Sequence, residues 1–160
     1  MSAWGAVAGG FVGTLVLTTG LRAASELRLT RMDLPFLLGT VLSRNRTRAK
    51  AIGYLLHFVA GQAFAFVYYG IFVAINQSGV LLGAAFGLLH AVFAGTALVN
   101  ILLPVVHPRM GSPYTAADSS PLLEPPGFLM LNYGRSTPVV SVVVHVLYGA
   151  IVGGFVSLAS

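Results

Sequence analysis

Three short pieces of the chain carry its most versatile side chains: LLHFVAG at 55–61, LLHAVFAG at 88–95 and VVHVLYG at 143–149. Each sets a histidine after two aliphatic residues, with a glycine about one helical turn later. Each lies in a run apolar enough to cross a membrane. A neutral imidazole can ligate a metal, hold a haem-type tetrapyrrole or hydrogen-bond a quinone. His57, His90 and His145 are therefore candidate cofactor ligands if they meet in space. If they do not meet, each needs its own partner, from Tyr54, Tyr68, Tyr69, Tyr148, Thr14, Thr18, Thr19, Thr96, Asn100 and Ser141 or a carbonyl opened beside a glycine. No two have the i, i+4 spacing of a zinc-binding helix, and no Asp or Glu shares their apolar runs. Any metal site depends on convergence.

Other chemistry is excluded more firmly. The chain has no cysteine, so it has no disulfide, thiolate ligand or cysteine nucleophile. It carries neither a P-loop nor a dinucleotide fingerprint. Ser141 and His145 lie i, i+4, but no carboxylate is near in sequence to orient the ring. Asp118 and Glu124 sit in a proline-broken stretch that fixes no carboxylate pair. The expectation is a protein that is not an enzyme.

The elements that position these residues follow from charge. Only 8% of the 160 residues are charged and 56% are hydrophobic. A soluble domain would carry about a quarter charged residues. All nine Lys and Arg and all four Asp and Glu fall in two windows, 22–50 and 109–135. A charge at mid-bilayer costs at least about 2.5–3.5 kcal/mol, so the charge-free intervals mark the lipid. They predict one membrane domain over 1–160: an all-α bundle of four transmembrane helices at 3–22, 51–75, 80–104 and 138–159. Pro104 ends the third span. Gly, Asn and Ser in NQSG (76–79) predict a tight turn. No basic residue precedes the first run and several follow it, the reverse of a secretory signal, so it is read as a retained helix.

An even number of spans puts both charged loops, 23–50 and 105–137, on one side. The positive-inside rule makes that side cytoplasmic and leaves both termini outside. The RNRTRAK run (44–50) then anchors topology at lipid headgroups rather than binding nucleic acid. Each loop is expected to hold a short interfacial helix. In the first, Asp33 caps it and Pro35 stands in its first turn. In the second, EPPGFLMLNYG (124–134) lies along the membrane. His107, Arg109, Gly127 and Tyr133 are the loop residues singled out with Asp33.

Glycines recur every four residues: Gly5, Gly9 and Gly13; Gly83 and Gly87; Gly149 and Gly153. Such stripes let helix backbones approach closely in lipid. They serve packing within the bundle or docking of another integral membrane subunit or a second copy.

MDLPFLLG, HFVAGQAFAFVYYG, HPRM, PGFLMLNYG and HVLYGAIVGG, in this order, resemble a group of small bacterial four-span inner-membrane proteins of unknown function. The resemblance implies fold and topology and assigns no activity. At about 1.5 Å per residue, His57 and His145 lie about 10 Å below the cytoplasmic face and His90 near the midplane. Two functions follow. One is a non-enzymatic accessory or scaffold subunit of a larger membrane complex. The other is a cofactor-bearing subunit whose histidines hold a metal, a tetrapyrrole or a quinone.

Overall fold

The computed structural model describes residues 1–107, 110 and 123–159. Arg109 and Asp118 lie outside the described residues. Every regular element among those described is helical: α1 (Ala3–Glu26), α2 (Leu34–Gly39), α3 (Arg46–Ile75), α4 (Val80–Phe93), a π-helical stretch (Ala94–Leu102), α5 (Leu103–Val106), a 3-10 turn (Phe128–Tyr133) and α6 (Thr137–Leu158). Four helices are long and apolar enough to cross a membrane: α1, α3, the continuous run Val80–Val106 and α6. Large apolar side chains such as Phe11, Leu55, Leu89 and Val139 stand exposed on them. That is the surface a lipid solvent permits.

Local chemistry sets the ends. Ser2 accepts from the Trp4 N–H at the start of α1. The Asn45 side chain accepts from the Arg48 N–H at 3.0 Å to open α3. Asn76, in the left-handed region at φ 52°, closes it, as a residue tolerant of positive φ can. Asp33 Oδ1 accepts from the Phe36 N–H at 3.1 Å, and Pro35 occupies the first turn of α2.

The third span does not stop at Pro104; it continues to Val106. A proline inside an α-helix clashes with the carbonyl four residues back and leaves it unbonded. Here the nine residues Ala94–Leu102, which end two positions before the proline, are wound as a π-helix, and Pro104 stands in the first turn of α5, where a proline is tolerated. The Asn100 side chain donates to the carbonyls of Gly95 and Thr96 at 2.9 and 3.0 Å. The second loop also departs from a regular helix. Leu129 and Met130 have φ of 50° and 61°, so Phe128–Tyr133 is two tight turns joined at a kink.

Packing is governed by glycine. α6 lies between α1 and α4. Atoms replacing the glycine hydrogens would collide with backbone: Gly5 with Phe155 and Val156, Gly9 with Val152, Gly83 with Gly149, Gly87 with His145. Gly13 accepts the ring of Tyr148. The three stripes are thus occupied by neighbouring helices of the same chain. Gly10 and Gly61 let α1 meet α3 at Ala65 and Thr14, and Gly39 and Gly53 seat α2 on α3.

α3 approaches the third span differently, through rings. Phe64, Tyr68 and Phe72 meet Phe86, His90 and Phe93. The two loops are joined: Thr30 and Thr137 hydroxyls are 2.8 Å apart, Arg31 pairs with Glu124 at 3.3 Å, and the Arg31 N–H donates to the Tyr133 carbonyl at 2.7 Å. Both loops therefore lie at one end of the molecule.

Candidate functional site

His57 stands between Gly53 and Gly61 on α3, at four-residue spacing. Its Nδ1 lies 3.0 Å from Thr18 Oγ1. That hydroxyl spends its single hydrogen on the Thr14 carbonyl at 2.7 Å. It can only accept from the ring, so Nδ1 carries the proton and Nε2 a lone pair. His145, on α6, has Nδ1 2.7 Å from the Ser141 carbonyl. A carbonyl only accepts, so this ring has the same tautomer. His90 Nδ1 shares a hydrogen bond of 3.3 Å with the Tyr68 hydroxyl.

The three rings belong to one place. His90 and His145 meet edge to face with centroids 4.8 Å apart. Phe64 lies against His90 at 3.9 Å. His57, His90, His145 and Tyr148 all line a single cavity of about 350 Å³. Its other walls are almost wholly apolar: Leu17 and Leu21 from α1, Ala60 and Phe64 from α3, Leu98 and Leu102 from the third span. Leu34 and Leu38 of α2, with Met32 and Met130, close the loop end. At the other end the Tyr148 hydroxyl donates to the Gly61 carbonyl and ties α6 to α3. The π-helical stretch supplies one wall, with its Gly95 packed against Leu129.

Each histidine thus has its own partner and also faces a common space. Two of the rings carry a lone-pair Nε2. Among the described residues, no group of three His, Asp or Glu is placed to hold a metal ion.

The loop residues have other roles. Asp33 caps α2 and pairs with Lys50 Nζ at 2.6 Å. His107 is buried within the protein: its Nε2 sits 3.1 Å from Thr40 Oγ1 and 3.2 Å from the Leu37 carbonyl. It fastens the end of the third span to α2, where Leu37 and Leu103 pack together. Gly127 has φ 74° and no room for a Cβ beside Asn132. The Tyr133 hydroxyl donates to the Glu124 carbonyl at 2.8 Å. Burial pushes its pKa up to about 12, and the Glu124 charge adds to the rise while Arg31 opposes it.

Sequence reasoning missed Phe64, Met32 and Met130 as cavity walls, and the close approaches at Gly39, Gly53 and Gly61. One signal was available. Ser141, His145, Gly149 and Gly153 form one four-residue stripe, as do Gly53, His57 and Gly61. A histidine in register with packing glycines must face the bundle interior.

No family model, curated protein or solved structure matches the chain. The site is read from its own residues.

Proposed function

We propose that this protein is a small non-enzymatic subunit of the bacterial inner membrane that holds a quinone-type ring in its histidine-lined cavity. The four spans form a bundle with both loops in the cytoplasm and both termini outside. The positive-inside rule supports this, since all nine basic residues lie in the two loops. α2 and the Phe128–Tyr133 turns lie at the cytoplasmic interface.

One observation carries the reading. Three histidines from three different spans, with Tyr148, line one apolar cavity. Such a cavity with a few convergent polar groups suits an apolar ligand with hydrogen-bonding atoms on its edge. A quinone or quinol has that form: a flat ring, two oxygens and an apolar tail. The lone-pair Nε2 atoms of His57 and His145 accept from a quinol hydroxyl. At about 350 Å³ the space is near the lower end of ligand pockets, and small for a tetrapyrrole.

The bound ring is used by a partner, another integral membrane subunit or a second copy. The glycine stripes do not recommend a docking face, because helices of the same chain fill them.

The test is gentle purification from native membrane, followed by organic extraction, an absorption spectrum and metal analysis. The expected result is about one quinone-type molecule per chain, and no visible band. A stoichiometric metal or haem-type band would replace the reading. A colourless protein with partner subunits and no extractable ring would return it to a scaffold.

A further inference from the structure

A second cavity of about 370 Å³ adjoins the first on its loop side. It differs in every chemical respect. Its lining includes Arg22, Ser25 and Glu26 from α1, Asp33 at the start of α2, and Lys50 and Tyr54 from α3. Arg22 and Glu26 pair at 3.0 Å with their side chains mostly exposed. Asp33 and Lys50, paired at 2.6 Å, are also reached by solvent. This vestibule is a place for water.

The two cavities share a wall made of Leu21, Met32, Leu34 and His57. Three of these are inert. His57 alone can exchange a proton, and its two ring edges have different surroundings. Thr18 lines the vestibule and not the apolar cavity. The Nδ1–H edge, bonded to Thr18 at 3.0 Å, is therefore the vestibule edge. The lone-pair Nε2 is left for the cavity side. The cavity on that side is also lined by His90 from the third span and by His145 and Tyr148 from α6.

We infer that His57 is the proton-exchange group between the cavity's ligand and water on the loop side, with the vestibule as the aqueous approach. The inference rests on the proposed quinone-type ligand. In the releasing direction, the ligand's O–H bond breaks as an Nε2–H bond forms, and the Nδ1 proton leaves to vestibule water. Uptake is the reverse. The imidazole is neutral before and after, with its tautomer inverted; the Thr18 hydroxyl turns its hydrogen from the Thr14 carbonyl to the bare Nδ1, and the ligand changes by one proton. No electron moves in this step. An imidazole is suited to it because it can take a proton at one nitrogen and give one from the other. His145 cannot serve the same way: it lines the apolar cavity but no part of the vestibule.

The experiment uses the full chain in lipid nanodiscs with ¹⁵N-labelled histidine. The probe is heptyl-hydroxyquinoline N-oxide, an aromatic ring with an acidic O–H and an alkyl tail, whose fluorescence quenching reports occupancy. Transfer of water magnetisation to each imidazole N–H reports exchange. With the probe bound, the His57 proton should exchange at least about tenfold faster than that of His145. Ser25→Trp, which fills the vestibule without touching the cavity, should slow His57 exchange by about fivefold or more and leave quenching unchanged. Equal protection of His57 and His145, or exchange insensitive to Ser25→Trp, overturns the route even when the probe binds. A lack of quenching in the unsubstituted protein overturns the ligand reading instead.

Discussion

A Cβ built on Gly83 would stand 2.1 Å from the carbonyl oxygen of Gly149, and one built on Gly149 the same 2.1 Å from the carbonyl oxygen of Gly83. The relationship is reciprocal because α4 and α6 meet backbone to backbone. Neither side has a flexible group that can yield. Gly149→Ala should destabilise the protein by about 1–3 kcal/mol, toward the upper end because backbone is displaced. Gly70→Ala is the control, since nothing lies within 4 Å of its position. Thermal unfolding in detergent, followed by circular dichroism, separates the two. An indifferent Gly149→Ala would mean that α4 and α6 are not so close.

The same contact occurs at the loop end. Gly39 faces the Ala49 carbonyl and Gly53 faces the Pro35 carbonyl, each with no space for a methyl. Gly53→Ala should lift α2 from α3 while leaving the four spans in place. Limited proteolysis at the exposed Arg44–Arg48 stretch should then accelerate several-fold, with far-ultraviolet circular dichroism nearly unchanged. Unchanged cleavage would place α2 elsewhere.

The spans were legible because a charge-free interval in a lipid-soluble chain has one physical meaning. The cap at Asp33 was legible too; the start of α3 at Arg46, capped by Asn45, was not, because the charges at 46–50 set the span's expected start at 51. The continuation past Pro104 was not legible. Proline reads as a stop unless the turn before it can widen, and no residue type in Ala94–Leu102 announces a π-helix. Gly39 went unread because it stands alone in a short loop helix with no repeat about it; Gly53 does share a four-residue stripe with His57 and Gly61, but nothing in that stripe names α2 as its neighbour. Convergence of the histidines could not be read from spacing, because it depends on how three helices rotate about their axes. The partners Thr18, Tyr68 and Ser141 were nameable by residue type, though not their pairing.

Histidine energetics separate contact from proximity. His90 and His145 touch, so His90→Gln and His145→Gln should be non-additive, with a coupling of at least about 0.5 kcal/mol in a double-mutant cycle on thermal stability. Each single change should cost little, near the 0.6 kcal/mol average of interhelical hydrogen bonds in lipid. Strict additivity would contradict the edge-to-face pair at 4.8 Å.

Tyr133 makes a pH prediction. Its folded pKa is raised to about 12, above the ordinary value near 10. The folded state thus favours the neutral phenol. Its contribution is whole below about pH 10 and is lost as pH climbs through about 12. Ultraviolet phenolate titration of the protein minus that of Tyr133→Phe should show one group ionising near pH 12. A difference curve centred near 10 would place Tyr133 in open water.

Orientation is checked by a reporter fused after Ser160. It should be active outside the cytoplasm, because the basic loops hold the opposite side. Activity only inside would invert the bundle and put the vestibule on the outer face.

The central claim is that the histidine-lined cavity is a ligand site. The most direct measurement is a fluorescence titration of the hydroxyquinoline N-oxide probe against nanodiscs carrying the protein or Ala60→Phe, with empty nanodiscs as baseline. Ala60 lines the cavity, and a phenyl ring there fills it from the α3 wall. The account predicts saturation near one probe per chain, and a loss of affinity of about tenfold or more in Ala60→Phe. Equal quenching by the protein, the variant and empty nanodiscs would contradict it.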